Sequence, residues 1–344
     1  ITEVVDATLT GGQPKFVELT NHGPVTIPDL SVFSIANFNN GSTTMGGSSS
    51  TPLNAVPLAP GASYTFAYES SGNTACDPAL LVSCFEYVYG APPDQFAGGG
   101  FVNGDDAIAL FVGVGTGDGS DAFLNDVYGV IGIDGTGERW EYTDGWARRC
   151  GTAASPVFDA DEWCFGGADS LELGPDPDEL ELTRRLTDAG GHTSGCPPRT
   201  FCTGKINSCT TVPSISASGT PSAGATSGFT ISSSNARPNR PGYLIYSPNL
   251  NYPAAPFSFS FGGVVNGWLC LGGQISRGNV VISTGATPCD GTFSVDMASF
   301  ASGGMGGNPK AYLLVPGTVV YAQWWGRDTL AQGDYLSDTL EYCV

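Results

Sequence analysis

Glycine and proline interrupt this chain too often for long helices: 49 Gly and 24 Pro are spread from one end to the other. Glycine brings backbone freedom that a helix must freeze out, and proline lacks the amide that a preceding turn would bond. The polar positions between them are mostly Ser, Thr, Asn and Gly, residues of turns and strand edges, rather than the Lys, Glu, Arg and Ala that cover helices. An all-β fold is therefore expected. Strand-like runs lie over 2–5, 15–20, 31–35, 63–69, 107–114 and 126–133, with a helical turn or two over 78–89. In SYTFAYE, Tyr64, Phe66 and Tyr68 fall on one face and Thr65, Ala67 and Glu69 on the other, the two-residue period of a half-buried antiparallel strand.

The chain has 344 residues, more than the roughly 250 to 300 at which one core stops growing, so two domains are expected. Segment 196–227, CPPRTFCTGKINSCTTVPSISASGTPSAGATS, is rich in Pro, Ser, Thr and Gly and reads as a linker between domains at 1–195 and 228–344. Beyond it, strand-like runs recur at 228–232, 242–247, 258–261, 267–271, 279–283, 292–296, 311–315, 318–325 and 339–343. Their regular spacing, with Gly or Pro between them, is the mark of a β-sandwich or jelly roll. No longer period repeats, so a solenoid is not expected.

Ten cysteines without zinc-type spacing point to disulfides and an oxidising compartment. Local pairs suggest themselves for Cys76 with Cys84, Cys150 with Cys164, and Cys270 with Cys289, leaving Cys196, Cys202, Cys209 and Cys343 with three open pairings. Net charge is −20, with 33 acidic against 13 basic residues, so nucleic acid and anionic lipid are poor partners. No apolar run reaches the roughly 18 residues of a membrane-spanning helix, so membrane insertion is not expected. The chain opens on the strand-like ITEVVD, and any secretory leader is expected to have been removed.

The first half resembles the lamin-tail domain, an immunoglobulin-like sandwich that also occurs in secreted bacterial proteins. The likeness is carried by the opening strand at 1–5, FVELTN at 16–21, the segment at 28–35, GDDAIALF at 104–111 and DVYGVIGIDGTGERW at 126–140. It covers residues 1–150, and departs from the family in an insertion at 36–60 and the cysteine-braced loop at 76–84. The resemblance implies an accessory or interaction module without catalytic residues of its own. The second half is similar to uncharacterised β-rich modules of secreted bacterial proteins, through GTPSAG, RPGYLIYSP, GWLCLGG and WWGRD.

Catalytic residue types are scarce. Neither His22 nor His192, both in turn-like contexts, has a serine elbow to activate. The paired acids Asp105/Asp106, Asp159/Asp161/Glu162 and Asp176/Asp178/Glu179 sit in Gly/Pro-rich stretches and read as solvated loop charge rather than as the facing acid and nucleophile of a glycosidase. The best chemical signal is GTGDGSDAFLND, where Asp118, Asp121 and Asp126 could offer oxygens to Ca²⁺; no other cofactor is implied. The same residues also read as an acidic turn that binds nothing, the more ordinary outcome, and Asp134 and Asp144 are weaker candidates of that kind. Trp324 and Trp325 are adjacent in a strand, so they face opposite sides: one enters the core, and the other, beside Arg327 and Asp328, could stack on sugar or on another subunit. Trp140, Tyr142 and Trp146 with Arg139, Arg148 and Arg149 form an aromatic-basic group that could meet an acidic partner, or else pair internally with Glu138, Glu141 or Asp144.

Two disulfide-stapled β-sandwich domains, immunoglobulin-like and jelly-roll-like, are thus expected, in a bacterial protein secreted to the extracellular space or cell surface. The expected role is non-catalytic and structural, with copies of itself or other surface proteins as partners. A carbohydrate-binding or adhesive module is the second reading, with polysaccharide as partner, and a carboxylate hydrolase the third.

Overall fold

Strands form wherever turn residues free a run of apolar and β-branched side chains, and the expected all-β class holds. The computed structural model describes residues 1–70, 72, 74–97, 102–172, 176–192, 194–256, 267–329 and 333–344; the expected strand at 258–261 lies outside them. The chain divides into two units, Ile1–Gly195 and Cys196–Val344.

The strands described in unit 1 are β1 (Glu3–Leu9), β2 (Gln13–Thr20), β3 (Phe33–Phe38), β4 (Thr51–Pro52), β5 (Ser63–Ala67), β6 (Gln95–Phe96), β7 (Ala107–Val112), β8 (Phe123–Tyr128), β9 (Trp146–Arg149) and β10 (Trp163–Phe165). They make two sheets, ordered β10-β9-β1-β2-β5-β6 and β4-β3-β7-β8. Val4, Val17, Phe66 and Ala147 of the first sheet share one buried cluster with Ile35, Ile108, Leu110 and Tyr128 of the second. The register of β1 on β2 pairs Val4 with Val17 and Glu3 with Glu18, which turns Glu3, Val5, Phe16 and Glu18 to the other face.

That other face is also covered. Helix α1 (Cys84–Tyr89) packs on β2 and helix α2 (Asp176–Leu186) on β1. Phe16 meets the Phe85 and Tyr89 rings edge-on at 5.3 and 5.5 Å. Six of the seven residues of β1 are consequently buried, acidic ones included. Helix α1 falls inside the expected 78–89 stretch; Ser83 caps it by accepting from the Glu86 amide, and Gly90 ends it at φ 78°. Helix α2 stands where solvated acidic loop is expected. Its basic last turn, Arg184 and Arg185, complements the helix dipole, and Leu182 and Leu186, one turn apart, are buried.

Unit 2 contains β11 (Arg199–Phe201), β12 (Ser214–Ser218), β13 (Thr230–Ala236), β14 (Pro241–Ser247), β15 (Leu250–Pro256), β16 (Trp268–Leu271), β17 (Ser276–Arg277), β18 (Val281–Ile282), β19 (Gly291–Asp296), β20 (Val319–Arg327), β21 (Asp334–Leu336) and β22 (Thr339–Cys343), with a short helix α3 (Met297–Ala301). One sheet runs β11-β22-β20-β14-β17, with β18 pairing β14 and β21 pairing β20; a second runs β12-β13-β19, and β15 and β16 form a hairpin. Ile231, Phe293 and Val295 of the three-stranded sheet pack against Leu244, Val320 and Trp324 of the larger one.

Three expectations are corrected here. The 196–227 segment is not a linker: it supplies β11 and β12 to the sheets of unit 2. Cys270 and Cys289 do not pair, because Cys270 lies in the β15–β16 hairpin and Cys289 in the turn leading to β19. Each instead takes a cysteine from that supposed linker, as Cys202–Cys270 and Cys209–Cys289. The run at 311–315 is a 3₁₀ turn, Ala311–Leu314, ahead of Pro316, whose missing amide cannot serve a ladder. Cys76–Cys84 forms as expected, and the sulfurs of Cys150 and Cys164 lie 3.0 Å apart. No described cysteine is free.

Candidate functional site

The three aspartates of the expected calcium loop do not converge. Asp118 and Asp121 are exposed turn residues: the first accepts from the Ser120 amide at 3.0 Å, and the second from the Thr116 amide and hydroxyl at 2.8 and 2.6 Å. Asp126 is buried in β8, where it accepts from Arg149 Nη1 at 2.9 Å, the Ile1 ammonium at 2.5 Å and the Ser155 amide at 3.0 Å. Burial pushes its carboxyl up, but the Ile1 ammonium and Arg149 outweigh burial and hold it below the ordinary value. Asp126 thus spends its oxygens on internal donors, away from Asp118 and Asp121. A group of three carboxylates does come together at Asp144, Asp169 and Glu172, with oxygens within 4.8 Å of one another.

Of the aromatic-basic group, Trp140, Tyr142, Trp146, Arg148 and Arg149 lie inside unit 1, whereas Arg139 is exposed and pairs with Asp161 at 2.6 Å. Trp140 is buried edge-on against Tyr128 at 6.1 Å. Arg148 is buried too, its guanidinium 4.8 Å from the Trp146 ring and its Cα opposite Glu3 in the β1–β9 register. Arg149 pairs with Asp126 and, at 2.7 Å, with Glu162. The reason is topological: β9 lies between β1 and β10 in a sheet covered on both faces, so neither of its alternating sides meets solvent. Arg139 and Arg149 thus make ion pairs within the unit, with Asp161, Asp126 and Glu162.

In unit 2 the adjacent tryptophans face opposite sides. Trp324 is buried and stacks on Phe293 at 5.2 Å, whereas Trp325 is half-buried and stacks on Tyr243 at 4.5 Å, 14° from parallel. Arg327 lies over the Trp325 ring at 5.2 Å and Arg277 over the Tyr243 ring at 5.2 Å. The indole is thus engaged in a stack of guanidinium and aromatic layers rather than held out as an open platform for a sugar ring.

Two features that sequence reasoning missed are more unusual. Glu3 and Glu18 lie side by side on β1 and β2 beneath the end of α2, where Glu3 accepts from the Asp188 amide at 3.1 Å and Glu18 from the Gly190 amide at 2.5 Å and the Thr2 hydroxyl at 2.9 Å. Burial raises both carboxyls well above the ordinary range, against the opposing pull of Arg148 on Glu3 and of the Thr2 and Gly190 bonds on Glu18. The available signal is a lone acid among the apolar residues of each of the strand-like runs FVELT and TEVV, but only the covering helices make it a buried one.

The second is a cavity of about 330 Å³ between the two sheets of unit 1. Leu19 of β2, Phe33 of β3, Leu110 of β7 and the loop residues Leu53 and Leu58 make its walls, with His22 and Asn21 among its polar lining. The His22 Nε2 is buried and bonded to nothing in the protein, and its ring meets His192 edge-on at 5.2 Å. Burial is the main cause that lowers the His22 pKa, with the Ile1 ammonium and Arg149 acting in the same direction.

The four-stranded sheet ends in β8, which opens on an exposed phenylalanine. Phe123, 67% exposed, is the cross-strand partner of Val112, which is itself exposed, and Val32 and Val114 lie exposed at the same end. The Val32 carbonyl accepts from the Gly113 amide between those two valines, which fixes the cluster in place. In comparisons with known proteins, no family model, no curated protein and no solved structure matches the chain.

Proposed function

We propose that this is a non-catalytic extracellular protein that works by surface contact, associating with copies of itself through the β8 edge of unit 1. The observation that carries the reading is the exposed Phe123 of β8, cross-strand partner of the exposed Val112 of β7, on a strand that pairs with no further strand among the described residues. An end strand presents unpaired peptide groups, and apolar cross-strand pairs at such an edge favour addition of a further strand. Burial of about 25 cal/mol per Å² then makes a large exposed Phe the dominant contributor to such a contact. The non-catalytic part is supported by the use of buried ionisable groups: Asp126, Arg149, Asp6 and Lys15 are each committed to an internal ion pair. The disulfides support an oxidising, extracellular setting. An immunoglobulin-type sandwich of the lamin-tail kind for unit 1, and bacterial secretion, belong to the same proposal.

Sedimentation velocity over a wide range of protein concentration tests it. Self-association is expected, and Phe123→Asp should shift the equilibrium toward monomer without changing the far-ultraviolet circular dichroism. A strictly monomeric species at all concentrations and salt levels would remove the reading.

A further inference from the structure

Asp6 of β1 stands opposite Lys15 of β2 in the antiparallel register, and the Lys15 Nζ contacts the Asp6 Oδ1. Strand alternation turns both side chains to the same face as Val4 and Val17, toward the space between the two sheets of unit 1. Asp6 is only 1% exposed, whereas ion pairs of this kind ordinarily lie in water. Both backbones are fixed: the Asp6 amide donates to the Gly145 carbonyl at 2.9 Å, and the Tyr68 amide donates to the Lys15 carbonyl at 2.7 Å. A second acid stands beside the pair. The Asp144 amide donates to the Asp6 carboxyl, and burial raises the Asp144 carboxyl against the pull of Lys15. Burial likewise raises Asp6, to about 6, which brings its neutral acid form closer to neutral pH.

We propose that Lys15 and Asp6 condense to an amide, a covalent cross-link between β1 and β2 that the folded protein forms by itself. The Lys15 ammonium first passes a proton to the Asp6 carboxylate, which leaves a neutral amine and a neutral acid. The Lys15 Nζ then bonds to the Asp6 Cγ. Asp144 takes a proton from that nitrogen and returns it to the departing hydroxyl, so that the Cγ–oxygen bond breaks and one water leaves. Nothing is oxidised or reduced, and no co-reactant is consumed. Groups fixed on paired strands react at an effective concentration of about 10⁵ M or more, which is what lets an acid and an amine condense in water. The product also removes two charges from a poorly solvated place, where an ion pair recovers little of what its desolvation costs. The cross-link is internal and made once, so it goes beyond the non-catalytic reading of the protein and is compatible with it.

Mass spectrometry of the whole purified protein, folded and then reduced and denatured, reads the reaction directly. The intact mass should fall short of the sum of the residues by one water. Chymotryptic cleavage after Leu9, which lies between the two residues, should leave the fragments that carry Asp6 and Lys15 joined. Lys15→Arg keeps the charge and removes the primary amine, and should restore the full mass. Asp144→Asn should restore it too, with Asp144→Glu returning the water loss; asparagine is at home at the φ of 49° that this position adopts. Should no variant fold, the mass and the joined fragments of the unaltered protein decide alone. A full residue mass in the folded, unaltered protein would leave an ordinary ion pair and overturn the proposal. So would a water loss that persists in Lys15→Arg, because it would lie elsewhere in the chain.

Discussion

Glu18 is fully buried, yet it stands beside a second buried carboxylate, Glu3, and takes the Gly190 amide that anchors the chain after α2. Desolvation raises Glu3 to about 8 and Glu18 to about 7. A carboxyl whose folded pKa is raised contributes stability that is fully present below its unfolded value and lost as pH climbs through the folded one. Thermal melts of the protein should therefore fall in midpoint from about pH 5 to about pH 9. Glu18→Gln, which keeps the shape and removes the titration, should flatten that fall. A midpoint that rises over the same interval would contradict the buried pair. None of this was legible from residue type alone, because an acid at an alternate strand position ordinarily faces water. The opposite orientations of Trp324 and Trp325 were legible, since strand geometry imposes them wherever the strand lies.

At the scale of elements, the cysteine pairs have unequal reach. Cys76–Cys84 spans 8 residues and braces the approach to α1, whereas Cys209–Cys289 spans 80 and joins two distant parts of unit 2. Closing the longer loop removes more freedom from the unfolded chain, about 4.5 kcal/mol against about 2.5 kcal/mol on the loop-entropy account. Replacing Cys209 and Cys289 by Ala should thus lower the denaturation midpoint of the protein more than replacing Cys76 and Cys84, as chemical unfolding would show; the reverse order would reject that account here. Neighbouring cysteines in sequence were the natural pairs to expect, and the expectation held for Cys76 and failed for Cys270. The difference is local geometry: Cys84 begins a helix whose preceding turn returns to it, while β16 and the turn before β19 belong to different layers.

For the molecule as a whole, 33 acidic and 13 basic residues oppose any contact between copies. Raising salt from about 0.01 M to about 1 M shortens the screening length from about 30 Å to about 3 Å, so association through the β8 edge should strengthen with salt. Weakening under the same change, measured by sedimentation, would show that attraction between charges holds the contact instead. The all-β class and the commitment of the cysteines to disulfides were determined by the sequence alone. Both are statements about local conformation and composition, which glycine, proline and cysteine express without reference to the rest of the chain. The burial of Glu3, Glu18 and Arg148, the partners of Cys202 and Cys209, and the cavity at Leu19 and His22 were decided only by the tertiary structure. Each depends on what covers a strand, and that cover comes from helices and loops far away in the chain, whose docking no local pattern records.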